Sequence, residues 1–113
     1  MGAIKIEVHT HDRDLISDVL ERSSISSGDE LAISDQAKIR YEGSYIRKAL
    51  GFPEIVYFTI TFASGVSAGI IANWLYDKIK KKNIEKLIIE RTEIEINQEQ
   101  ISKIIEKITM IEK

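Results

Sequence analysis

From Ile55 to Leu75 the chain carries no charged residue. A run of that length has two natural homes. As one helix of about 20 residues it crosses a bilayer, or it sits at the centre of a folded core. The flank fits both, because Asp77, Lys78, Lys80, Lys81 and Lys82 crowd its C-terminal end. Lysines there complement the partial negative charge of a helix terminus and equally satisfy the positive-inside rule. Within the run, Gly65 and Gly69 have the Gly-x-x-x-Gly spacing, and on a helical wheel Thr61, Gly65, Ala68 and Ala72 form one small-residue stripe that lets another backbone approach closely. Trp74 and Tyr76 then read either as an interfacial anchor or as amphipathic residues at the edge of a core. Thr59, Thr61, Ser64, Ser67 and Asn73 dilute the apolar character, and Asn73 is costly in hydrocarbon. The balance favours a helix over residues 54 to 80 buried in a folded domain, with a single-pass span over 55 to 75 as the alternative.

The rest of the chain supplies elements that such a helix would cover. Ile4, Ile6 and Val8 alternate with Lys5, Glu7 and His9, which places the first set on one face of a strand. Leu15, Ile16, Val19 and Leu20 then form the apolar stripe of a short helix. Ser23 to Glu30 is polar and rich in small residues, with Gly28 and Asp29 supplying turn chemistry, so a loop is expected. Leu31 and Ile33, then Ala37, Ile39 and Tyr41, predict a hairpin around Ser34 to Gln36. Ser44 as a cap predicts one or two helical turns that end at a bend over Gly51 to Pro53. Beyond Asn83 the period returns to two. Leu87 and Ile89 share one parity and Ile94 and Ile96 the other, which requires a bulge or a very tight turn near Glu90 to Thr92. Asn97 followed at N3 by Gln100 is a capping arrangement, and Ile101, Ile104, Ile105, Ile108 and Ile111 trace one face of a C-terminal helix.

These elements predict a single α+β domain over residues 1 to 113: a small, mainly antiparallel sheet packed against a long central helix and a C-terminal amphipathic helix. At 113 residues one core is the economical solution. The chain is 43% hydrophobic and 30% charged, a mixture that supports a core and argues against wholesale disorder. Its formal net charge of −2 comes from interspersed acids and bases, so no continuous basic footprint for nucleic acid is present. With no cysteine, disulfides, thiolate metal sites and thiol catalysis are excluded. The alternating N-terminus lacks the apolar region of a secretory signal, and Gly2 lacks the Ser or Thr that a myristoylation signal places where Ile6 stands. A cytoplasmic location is expected, with the inner membrane as the counterpart of the spanning alternative.

"VHTHDRD", residues 8 to 14, raises the question of an enzyme. On an extended strand His9 and His11 project from one side, and Asp12 or Asp14 adds an oxygen donor, as in a divalent-metal site. A small metal-dependent hydrolase using His9, His11 and Asp12 is therefore a third class of function. Against it, the histidines share parity with the polar Lys5 and Glu7, no other histidine exists in the chain, and the barrels that use such an opening need about 250 residues. The simpler expectation is exposed histidines at a strand end, with one aspartate capping the next helix. No nucleophile elbow and no phosphate-cradling loop occur, so no catalytic residue, metal or cofactor is assigned.

The stretch "GFPEIVYFTITFASGVSAGIIANWLYDKIKKK", with Gly51, Pro53, the small-residue helix and the Asn73-Trp74-Leu75-Tyr76-Asp77 ending with its lysines, resembles the small bacterial proteins called effector-associated constant components. The resemblance implies a non-catalytic partner of enzymatic or signalling effectors in bacterial conflict and immunity systems. The chain departs from that pattern after the helix, where only "KLIIERTEIEI" stands in place of a longer strand-turn-strand segment. The expected function is a non-enzymatic protein-interaction or regulatory module, engaging a protein partner or a second copy of itself. Its candidate contact residues are Gly65, Ala68, Gly69, Ala72, Trp74 and Tyr76.

Overall fold

Val56, Phe58, Ile60 and Phe62 are buried, while Ile55, Tyr57, Thr59 and Thr61 between them turn to the opposite side. That is the period of a strand. The structure, a computed structural model, describes residues 2 to 46 and 51 to 111. In chain order they form β1 (Gly2–Thr10), α1 (Leu15–Leu20), β2 (Glu30–Ser34), β3 (Ala37–Tyr45), β4 (Glu54–Phe62), α2 (Ala68–Ile79), β5 (Ile84–Ile89), β6 (Thr92–Ile94) and α3 (Gln98–Ile111). The α+β class expected from the sequence is what is found, but the helix expected over 54 to 80 begins only at Ala68. The uncharged run is two elements joined by a turn. β-Branched and aromatic residues fill its first half and suit a pleated surface, and Gly65 at φ +83° takes a backbone conformation that stops the strand from running on into the helix. Among the described residues no helix is long and apolar enough to cross a membrane, so the spanning helix over 55 to 75 is corrected as well.

One antiparallel sheet of six strands runs in the order β2-β3-β4-β1-β5-β6. β1 and β4 lie at its middle and pair without interruption from Gly2 opposite Phe62 to Thr10 opposite Glu54. β4 and β5 are both antiparallel to β1, hence parallel to one another, and α2 connects them across it. Ile4, Ile6 and Val8 of β1, Ile39 and Tyr41 of β3, the four buried residues of β4 and Leu87 and Ile89 of β5 form one apolar layer. It is covered by Leu15, Val19 and Leu20 of α1, Ile71, Ala72, Leu75 and Ile79 of α2, and Ile101 and Ile105 of α3. All three helices therefore lie on one side of the sheet.

Local chemistry explains the joints. The Asp12 carboxylate accepts the Asp14 N–H at 2.9 Å and sets the turn into α1, whereas Asp14 occupies the cap position without a side-chain capping bond. Part of the lysine cluster at the end of α2 is committed to α1 and the residues that flank it. Lys78 lies 3.6 Å from Glu21, and Lys82 reaches Asp18 and, at 3.8 Å, Asp12. Asn73, awkward for a span, is exposed and accepts a hydrogen bond from the Gln98 side chain, which ties the start of α3 to α2. Asn97 caps α3 as expected, its Oδ1 accepting the Gln100 N–H at 2.8 Å. Ser44 does not cap a helix: it belongs to β3, opposite Val56, and residues 47 to 50 of the predicted helical turns lie outside the described residues.

The parity switch after Ile89 is a two-residue turn. Glu90 and Arg91 have φ of 48° and 68°, and Ile89 pairs with Thr92 directly across them. Such a turn matches the twist of its strands but usually carries Asn or Gly. Here backbone and side-chain contacts to β1 hold it. The Glu90 N–H donates to the Lys5 carbonyl at 2.9 Å, and the Lys5 N–H donates to the Glu90 carboxylate at 2.9 Å.

Two substitutions test this architecture in urea unfolding. Ile60→Ala, in the buried row of β4, is expected to cost about 3 kcal/mol, while its neighbour Thr61→Ala stays within about 0.5 kcal/mol; equal costs at both positions would contradict the strand. Arg91→Gly relieves a left-handed residue and is expected to stabilise the fold by about 0.5 kcal/mol, once the entropy lost by glycine offsets part of the gain.

Candidate interaction surface

Among the described residues nothing is layered over the face of the sheet opposite the helices. Because side chains alternate along every strand, all six strands leave residues on this face, Glu30 of β2 lying beside Arg40. Arg40, Thr59 and Lys5 form one row across β3, β4 and β1. Gly43, Tyr57, Glu7, Ile88 and Glu93 form the next, and Tyr45, Ile55, His9 and Lys86 a third. A bulge in β3 between Tyr41 and Gly43 adds Glu42 to the surface. It needs Gly43 at φ +139°, in a region that other residues rarely enter.

Charges on this face are partly satisfied among themselves. Arg40 grips Glu42 with two hydrogen bonds of 3.0 and 2.8 Å, and the Thr59 hydroxyl donates to the same carboxylate at 2.6 Å. The Arg40 guanidinium, helped by that hydroxyl, holds the Glu42 carboxyl below its ordinary range, and Glu42 in turn raises Arg40. His9 Nε2 lies 2.6 Å from Glu7 Oε2. Lys5 and Arg91, in contrast, make no ion pair with a described residue. They flank a hollow of about 400 Å³ whose floor includes Tyr57, Thr59 and Ile88. At the end of the face nearest the β3–β4 connection, Tyr45 is 58% exposed and Tyr57 39%. The hollow is lined by two carboxylates, Glu7 and Glu42, that already have partners and by two cations, Lys5 and Arg91, that make no ion pair among the described residues, which suits contact with a chain bearing apolar and acidic side chains.

The candidate residues proposed from sequence are dispersed. Gly65 lies in the turn before α2, Ala68 begins the helix half-buried, and Gly69 is exposed. These three, with Ser102, Glu106 and Met110 of α3, border a hollow of about 670 Å³. Ala72 is fully buried against the sheet, so it is not a contact residue of the folded chain, and because Gly65 is not helical the stripe of Thr61, Gly65, Ala68 and Ala72 does not exist. Trp74 and Tyr76 pack at the core edge, with Lys78 Nζ 5.8 Å and Lys80 Nζ 5.9 Å from their respective ring centroids. His9 and His11 take different partners: His11 Nε2 lies 2.9 Å from Glu85 Oε2. Among the described residues no group of three or more His, Asp or Glu side chains is placed to hold a metal ion.

The fold and this surface define a two-layer α+β domain with one sheet face open. Comparison with protein-family models, curated proteins and solved structures gave no match.

The electrostatics of the face yield a titration test. A carboxyl lowered in the folded state contributes stability that is present above the ordinary carboxylate range and lost as pH falls through the lowered value. NMR titration is expected to find the Glu42 carboxyl still ionised below the point where ordinary glutamates protonate. In Arg40→Ala it should move back up towards them; an unchanged titration would mean that Arg40 does not set it.

Proposed function

We propose that this protein is a non-enzymatic interaction module that docks a protein partner on the open face of its sheet. The observation that carries this reading is the exposed pair Tyr45 and Tyr57 beside a hollow flanked by Lys5 and Arg91, which make no ion pair among the described residues. Aromatic residues bury large area at small cost in side-chain entropy, and cations at the margin select and orient an acidic partner. The partner's docking segment accordingly carries an apolar or aromatic side chain for the Tyr57–Ile88 floor and carboxylates within reach of Lys5 and Arg91. The resemblance to effector-associated constant components supports placing that partner among the effectors of a bacterial conflict system, with this chain as their non-catalytic accessory.

The test is photo-crosslinking in cells, with a benzophenone amino acid replacing Tyr57 or, on the opposite side of the molecule, Met110. Position 57 is expected to give a discrete adduct with another protein, and Lys5→Glu together with Arg91→Glu should reduce its yield several-fold. Adducts that form equally from position 110, or that ignore the charge reversal, would refute the assignment of this face.

A further inference from the structure

Three described residues other than glycine have positive φ: Glu21 at 56°, Glu90 at 48° and Arg91 at 68°. A side chain in that region crowds its own backbone, which is why glycine fills the other positions of this kind. Two of the three exceptions use their side chains within the fold. Glu21, at the end of α1, lies 3.6 Å from Lys78, and the Glu90 carboxylate accepts the Lys5 N–H at 2.9 Å. Arg91 does not: among the described residues its guanidinium makes no hydrogen bond or ion pair, and it lines the hollow of the open face with Lys5, Tyr57 and Ile88. An uncommon backbone conformation that no contact inside the fold accounts for points to a role outside it. We infer that Arg91 is the specificity-determining residue of the docking face, its guanidinium pairing with a carboxylate of the partner, and that Glu90 is the positioning residue that holds the turn for it. Both roles rest on the docking function proposed above.

The ladder between β1 and β5 ends with Ile6 opposite Ile89. One residue further on, the Glu90 N–H donates to the Lys5 carbonyl at 2.9 Å, and the Glu90 side chain, in place of a strand carbonyl, accepts the Lys5 N–H. These two bonds pin the turn to β1, so the side chains of Lys5 and Arg91 leave from fixed points beside the same hollow. Asn-Gly, a common occupant of such a turn, would relax the backbone but leave Lys5 without a second cation there. Arginine adds what lysine lacks, a planar fork that binds both oxygens of a carboxylate. The acids that line the hollow do not compete for it. Glu7 is engaged by His9 and Glu42 by Arg40, which leaves the Arg91 guanidinium to an acid brought by the partner.

Stability and docking should separate at this residue. Arg91→Gly is expected to hold or raise the urea midpoint while the yield of the adduct from a benzophenone at position 57 falls about tenfold, the loss of one charge-assisted pair. Glu90→Ala should lower that yield with Arg91 still in place, and Glu90→Gln, which keeps an acceptor for the Lys5 N–H, should restore most of it. An adduct yield unchanged in Arg91→Gly would overturn the inference and leave the docking face standing. So would a fall in yield accompanied by a fall in the urea midpoint, which would make Arg91 a structural residue. Equal yields from Glu90→Ala and Glu90→Gln would remove Glu90 from its positioning role. If the chain with both residues intact gives no adduct from position 57, the docking face itself is refuted, and the role of Arg91 with it.

Discussion

Everything in this structure is arranged around the uninterrupted ladder between β1 and β4. Nine residues of each strand are paired in register, and each strand buries its even-numbered residues on the same side. A slip of one residue would turn Ile4, Ile6 and Val8 outward and bring Lys5 and Glu7 under the helices. The register is therefore held by burial as much as by hydrogen bonds. β3 and β5 pair with the outer edges of this core pair, α2 crosses β1 because it must connect β4 to β5, and α3 packs on α2. The open face follows from the same ladder: once the apolar residues of one parity are under the helices, those of the other parity have no layer to meet.

Much of the fold was legible because its signals are local. Ile4, Ile6 and Val8 announce a strand, Asn97 and Gln100 a helix start, and the parity change between Ile89 and Ile94 a bulge or tight turn, each within a few residues. The uncharged run failed for a specific reason. Ile55 and Tyr57 on the open side are nearly as apolar as Val56 and Phe58 on the buried side, so the alternation of β4 was masked, and the absence of charge continued through Gly65 into α2 without marking the boundary. Buried Val56, Phe58, Ile60 and Phe62 were the signal available, since they keep strict period two where a helix would not. One further departure has the same kind of cause: Ser44 looked like a cap when it continued a strand.

The interaction surface was less legible than the fold, because no stretch of sequence contains it. Lys5, Glu42, Tyr57, Ile88 and Arg91 belong to different segments that become neighbours only through strand order. Sequence reasoning did place Lys5, Glu7 and His9 on the polar side of β1, which is where they are. It could not know that β4 would lie beside them and contribute Tyr57, or that a bulge in β3 would bring Glu42 to Arg40. The small residues at 65 to 72 drew attention by their spacing, yet spacing has meaning only within one kind of secondary structure, and Gly65 and Ala72 are not in the same element.

The strand order also dictates when the protein can fold. Of these elements β1 leaves the ribosome before the others, yet its partners β4 and β5 come from residues 54 to 62 and 84 to 89. Until those residues emerge, an apolar strand with both edges unpaired is exposed in the nascent chain, and the β2–β3 hairpin made in the meantime has no sheet to join. Contacts of such long sequence separation slow folding and prolong exposure of the central strand. Synthesis therefore leaves β1 waiting longest among the strands for its partners, and its pairing depends on how quickly translation delivers the middle of the chain.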